Sequence, residues 1–135
     1  MKYIVNGNII LNDGIIEDCA LSFDSKICGI TSKEQIPEGA EIIDAKGGFI
    51  APGLIDIHIH GYLGEDASDG KSKGIKKMAN GIMKNGVTSW CPTTMTVSMD
   101  EINKALDTIR SLKNESKKWD GAEILGVNLE GPFIN

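Results

Sequence analysis

His58 and His60 are the only histidines in the chain, and they stand two positions apart in Gly-Leu-Ile-Asp-Ile-His-Ile-His-Gly, residues 53–61. Side chains of an extended strand alternate between faces, so positions i and i+2 project together. Both imidazoles therefore point the same way, and Ile55, Ile57 and Ile59 are expected to turn into apolar packing on the other face. Neutral imidazoles held side by side are a ready ligand pair for a divalent metal. The plainer reading is two histidines on the wet face of an edge strand. The context favours the metal: the run is strongly apolar, Pro52-Gly53 precede it and Gly61 follows it. Polar groups on a strand buried from both sides need partners, and an ion supplies one.

The second group with chemical potential is Asn-Leu-Glu-Gly-Pro-Phe-Ile-Asn at residues 128–135. Asn128 and Glu130 share a strand face by the same rule, and Gly131-Pro132 turns the chain away from the carboxylate. A carboxylate at that strand end is placed to ligate or bridge the ion that the histidines approach from another strand; a solvated terminal glutamate is the alternative. Asp56 has the parity of the histidines and is read as structural. The acidic stretch at residues 65–70 is read as a solvated loop rather than as the rim of a pocket. Cys19, Cys28 and Cys91 show no ligand spacing and read as reduced thiols, Cys91 being a core residue beside Trp90.

Two textures of sequence must position these groups. Up to about residue 52 the signals are short and β-like, with Ile4-Val5, Ile9-Ile10-Leu11 and Ile15-Ile16 separated by Asn-Gly and Asp-Gly turn pairs. Residues 20–23 and 27–30 flank a hairpin turn, and 42–44 and 49–50 follow a Pro-Glu-Gly loop. The expectation is a small antiparallel sheet. From residue 53 strands alternate with helices. A strand at 54–60 leads to a helix at 73–84 with the stripe Ile75, Met78, Ala79, Ile82 and Met83, closed by Asn85-Gly86. A strand at 87–91 stops at Pro92. A capping box of Ser98 and Glu101 opens a second helix with the stripe Ile102, Ala105, Leu106, Ile109 and Leu112. A third strand spans 123–130. The order βαβαβ implies parallel pairing, and His58, His60, Thr93-Thr94 and Glu130 all fall at carboxyl ends of strands, where α/β folds place their sites.

The chain has 135 residues, 41% of them hydrophobic and 24% charged, a composition that argues for a folded globular protein rather than a disordered one. No apolar run approaches the ~20 residues of a spanning helix. A net charge of −5 with no basic stripe disfavours nucleic acid and acidic membranes as partners. The expected location is the cytoplasm.

The segment from Ala51 to Gly61, with Ile43-Asp44-Ala45-Lys46-Gly47-Gly48-Phe49-Ile50 leading in, resembles the first metal motif of the amidohydrolase superfamily. Asn85-Gly86-Val87-Thr88-Ser89, Pro92-Thr93 and above all the Leu-Glu-Gly-Pro-Phe of residues 129–133 resemble its N-acetylglucosamine-6-phosphate deacetylase family. The resemblance implies an α/β fold: a partial (β/α)8 TIM barrel at residues 53–135, comprising three strands and two helices, preceded at residues 1–52 by part of a small β-sandwich. It implies hydrolysis of the acetamide of a phosphorylated amino sugar, with zinc or iron as the divalent metal, one or two ions. Glu130 matches the family's metal-binding glutamate, and His58 and His60 match a pair that some members use for a second ion. Asn128 stands where the family often has histidine, a position that supports ligands rather than binding metal. The family's later histidine ligands, catalytic aspartate and phosphate-contacting residues are expected beyond Asn135, so this piece alone is expected to be inactive; the open edge and bare faces of the third strand lead to the expectation of a homo-oligomer. Rival readings are another amidohydrolase, dihydroorotase-like or deaminase-like, or a noncatalytic binding module.

Overall fold

The structure, a computed structural model, describes residues 1–134. It divides into two compact units, Met1–Pro52 and the residues from Gly53 onward.

In the first unit, short β-branched runs form seven strands: β1 (Lys2–Val5), β2 (Asn8–Leu11), β3 (Gly14–Ile16), β4 (Cys19–Phe23), β5 (Ile27–Ser32), β6 (Glu41–Asp44) and β7 (Phe49–Ile50). Turn chemistry fixes the neighbours: β2 with β3 and β4 with β5 are antiparallel hairpins. The strands nevertheless make two sheets, ordered β5-β4-β1-β6 and β3-β2-β7, and neither is wholly antiparallel. β6 runs parallel to β1, with Lys2 opposite Glu41 and Val5 opposite Asp44, and β7 runs parallel to β2. The expected antiparallel sheet is corrected on this point. Both parallel partners arrive through connections too long for a hairpin turn to dictate their direction. Tyr3, Val5 and Ala20 form the core, with Ile36 and Ala40 against it. Ile9, Leu21, Ile27, Ile30 and Ile50 line an apolar cavity of about 400 Å³.

The second unit is mixed α/β. Strands β8 (Leu54–Ile59), β11 (Val87–Pro92) and β12 (Glu123–Ile124) form a parallel sheet in the order β12-β11-β8. Between them lie the short hairpin β9 (Gly61–Tyr62) and β10 (Glu65–Asp66), helix α1 (Ser72–Met83) and helix α2 (Met99–Ser116). The apolar stripes meet as their periodicity requires. Ile75, Met78, Ala79 and Ile82 of α1 and Ile109 and Leu112 of α2 pack with Trp90 and Ile124 into one buried cluster. Leu106 and Met83 remain half-buried.

Helix α2 starts on the full capping box: the Glu101 amide donates to the Ser98 hydroxyl at 3.3 Å, and the Ser98 amide donates to the Glu101 carboxylate at 3.0 Å. The Ser98 hydroxyl, then its backbone N–H, hold the Glu101 carboxyl below its usual range. A depressed folded-state value contributes stability above the ordinary carboxylate range, and that contribution is lost as pH falls through the depressed value. Ser98→Ala should therefore cost about 1 kcal/mol at neutral pH and less in acid, read by urea unfolding at both conditions. An equal loss at both would contradict the assignment.

Three expectations need correction here. The acidic stretch is not a solvated loop. Glu65 pairs with Lys77 at 3.0 Å, Asp66 accepts the Ser68 amide at 2.7 Å, the Asp69 carbonyl accepts from Lys104, and Ala67 is fully buried. The third strand is not continuous from 123 to 130: regular pairing covers Glu123–Ile124, with one further bridge between Thr93 and Asn128. Finally, Ile55 and Ile57 are 61% and 65% exposed instead of packed, since β8 is a sheet edge and both helices cluster over β11 and β12. Only Ile59 reaches the core.

Candidate metal centre

The carboxyl ends of the three parallel strands bring together the three groups singled out in the sequence. His58 Nε2 lies 3.3 Å from His60 Nε2 and 2.8 Å from Glu130 Oε2, and His60 Nε2 lies 3.4 Å from the same oxygen. Among the described residues no other histidine, cysteine or acidic side chains form such a trio. Their side chains are 56%, 31% and 36% exposed, so the cluster opens to solvent and a ligand can reach it.

A divalent ion fits this set. Tetrahedral zinc with ~2.1 Å bonds holds its donors about 3.4 Å apart. Two of the three separations match, and the 2.8 Å contact has to open by a few tenths of an ångström. The ring proton of His60 is the point the fit leaves open. His60 Nδ1 is buried without a partner among the described residues. If Nε2 offers its lone pair to an ion, the ring proton resides on that buried Nδ1. When bound, such an ion supplies Lewis acidity, polarising an amide carbonyl and activating water near neutral pH.

Local devices set the backbone beneath these side chains. On β8 the ladder to β11 skips a residue between the pairs Trp90–Asp56 and Pro92–Ile59, so strict alternation does not run through the motif. Asp56 spans that irregularity: its carboxylate accepts the His58 backbone N–H at 3.0 Å. It acts on the backbone of His58 and makes no contact within the trio. Asn128 donates from Nδ2 to the Ile57 carbonyl at 3.1 Å and so links the third strand to the first. Gly131 takes φ +87°, and a Cβ there would stand 2.8 Å from the Thr96 Cα, so the turn that releases Glu130 requires glycine.

Glu130 reaches the histidines through a one-residue slip that the sequence pattern does not reveal on its face. Leu125 N–H bonds to Trp90 O and Asn128 N–H to Pro92 O, so three residues of the third strand oppose two of β11. Ile124 and Val127 consequently both touch the helix-side core despite opposite parity. Asn128 and Glu130 share parity with Ile124 yet turn to the other face, toward β8. An isolated glycine in a strand is the usual sign of such a bulge, and Gly126 is that sign.

The arrangement, a parallel sheet with a His-x-His pair on one strand and a carboxylate beyond the end of another, is the one that the resemblance to the amidohydrolase superfamily leads one to expect. Known proteins of similar sequence and structure agree with that expectation. The chain is 35% identical over 135 residues to N-acetylglucosamine-6-phosphate deacetylase of Bacillus subtilis, covering 99% of this chain and 32% of that protein. It is 32% identical over 126 residues to N-acetylgalactosamine-6-phosphate deacetylase of Escherichia coli O157:H7, covering 93% of this chain and 32% of that protein. The crystal structure of N-acetylglucosamine-6-phosphate deacetylase from Pasteurella multocida superposes with a TM-score of 0.90 at 28% identity, covering 99% of this chain and 35% of that one. No family model matches. The chain is thus a homologue of N-acetylglucosamine-6-phosphate deacetylases and spans about a third of their length.

Proposed function

We propose that this chain is the metal-binding part of an amide hydrolase that converts N-acetylglucosamine 6-phosphate to glucosamine 6-phosphate and acetate. The convergence of His58, His60 and Glu130 on one point carries the reading, and similarity to deacetylases along the whole chain supports it. The three parallel strands are read as the start of a (β/α)8 barrel, whose site lies at the carboxyl ends of its strands. The first unit is read as part of a β-sandwich. The ion is zinc or iron, one or two per site, and the protein works in the cytoplasm with neither nucleic acid nor membrane as partner.

In this reading the chain's own residues bind and orient. His58, His60 and Glu130 hold the ion, while Asp56, Asn128 and Gly131 fix the backbone beneath them. The general base that takes a proton from water and returns it to the leaving amine is assigned to no residue of this chain. The 135-residue chain, loaded with zinc, is therefore expected to release no acetate from N-acetylglucosamine 6-phosphate. A longer product, this chain joined to the part of the Bacillus subtilis relative that it does not span, should release it and lose the activity to a chelator. Turnover by the short chain would overturn the missing base; failure of the metal-loaded longer product would overturn the substrate. The E. coli relative favours one second reading, the galactose epimer of the same substrate. Assaying both epimers separates the two.

We also read the protein as a homo-oligomer. Ile55 and Ile57 lie exposed on the edge strand β8, a surface that a second copy can cover. Sedimentation of this chain should show concentration-dependent association; a single monomeric species throughout the micromolar range contradicts it.

A further inference from the structure

Thr93 and Thr94 follow β11, are both fully buried, and are absent from the ligand set. Every hydroxyl bond they make ends on the strands that carry the ligands or on β11 itself. Thr93 Oγ1 accepts the Ile59 amide at 3.0 Å and donates to the Cys91 carbonyl at 3.3 Å. The Thr93 amide donates to the Ile59 carbonyl at 2.9 Å, so both backbone groups of the residue between the two histidines are held by one threonine. Thr94 does the same for the acid. Its Oγ1 accepts the Glu130 amide at 3.2 Å and donates to the Glu130 carbonyl at 3.2 Å, while its own amide donates to the Asn128 carbonyl.

This pairing stands where the sheet's own ladder turns irregular and comes to its end. Pro92 has no amide, the β8–β11 register slips beside it, and β12 ends at Ile124. The Thr93–Asn128 bridge and its backbone bonds carry the pairing as far as Asn128; beyond it, the backbone groups of Glu130 are held by the Thr94 hydroxyl. A buried hydroxyl that both donates and accepts replaces a missing ladder residue, and buried backbone groups left unpaired are costly.

We propose that Thr93 and Thr94 are positioning residues for the metal centre, Thr93 setting the His58–His60 backbone and Thr94 setting Glu130. The proposal rests on the metal reading of the site for its affinity effect, but its geometric content stands without an ion.

The test is Thr94→Val, which keeps the shape and removes the hydroxyl, beside Thr94→Ser, which keeps the hydroxyl. Three quantities are read on the 135-residue chain: zinc affinity by chelator competition, nuclear Overhauser contact between the His58 ring and the Glu130 side chain without metal, and the unfolding midpoint. Thr94→Val should weaken zinc binding about 10- to 100-fold, the range for losing a group that orients a ligand, and should lose the contact. Thr94→Ser should keep both. A valine variant that lowers only the unfolding midpoint, with contact and affinity intact, overturns the proposal. Should the wild-type chain bind no zinc while the contact still follows the hydroxyl, the positioning role stands and the metal reading falls. If Thr94→Val does not fold, amide hydrogen exchange of the wild-type chain decides. Slow exchange at Ile59 and Glu130 supports the proposal, and exchange at the rate of open backbone overturns it.

Discussion

Replacing Glu130 with alanine will lower the zinc affinity of this chain by more than about 100-fold, beyond what loss of a merely supporting group costs. The expectation follows from the donor count. The site offers three side-chain donors, each within 3.4 Å of the others. Removing the carboxylate deletes the charged one and leaves two neutral imidazoles that must share the ion with water. His58→Ala should have a comparable effect, because His58 Nε2 is the atom closest to Glu130. Glu130→Gln separates charge from shape: it keeps an oxygen in place but removes the negative charge, so an intermediate loss is expected. Protonated histidines do not ligate, so affinity in the wild-type chain must also fall as the solution is acidified. A Glu130→Ala chain that binds zinc as tightly as the wild type contradicts the ligand assignment.

The second large effect concerns the scaffold. Trp90 is fully buried at the centre of the cluster where α1 and α2 meet the sheet, three residues before Thr93. Truncating a buried tryptophan to alanine costs about 3–5 kcal/mol, a large share of the ~5–15 kcal/mol that holds a domain together. Trp90→Ala should therefore leave the second unit largely unfolded in dilute urea. Trp119 is the chain's other tryptophan and lies in the same unit, bonded to the Ala122 carbonyl at 3.1 Å, so its fluorescence reports that unfolding directly. Trp90→Phe should cost less, since the indole N–H has no partner among the described residues and its removal leaves no bond broken. A shift of only about 0.5 kcal/mol on Trp90→Ala, the scale of a surface substitution, would place the core elsewhere.

Much of this architecture is legible where local rules decide it. The stripes of α1 and α2 follow a 3.6-residue period, and the Ser98–Glu101 box marks a helix start within three residues. The histidine pair is legible for the same reason: two residues of extended chain bring two side chains back to one side. What is not legible depends on bonds between distant residues. Strand directions for β6 and β7 are set by which neighbour they meet, not by their own composition. Ile55 and Ile57 read as core because they are apolar, yet burial requires a partner layer, and none among the described residues covers them.

Glu130 is the instructive case. Simple alternation along residues 123–130 puts it on the face of Ile124, the helix side, whereas the slip at Gly126–Val127 turns it toward β8. Grouping it with the histidines in the sequence rested on its place at the carboxyl end of a strand and on the motif it resembles, neither of which reveals the slip that turns it to that face. The threonines that secure it are separated from it by 36 positions for Thr94, a distance at which no local pattern operates.

The central claim is that two imidazoles and one carboxylate of this chain bind a common ion. Zinc-edge X-ray absorption of the zinc-loaded chain tests it without reference to activity. Two imidazole nitrogens and at least one carboxylate oxygen are expected at about 2.0–2.2 Å, with the imidazole signal reduced by half in His58→Ala. A zinc spectrum showing only water and carboxylate oxygens, unchanged by that substitution, would contradict it.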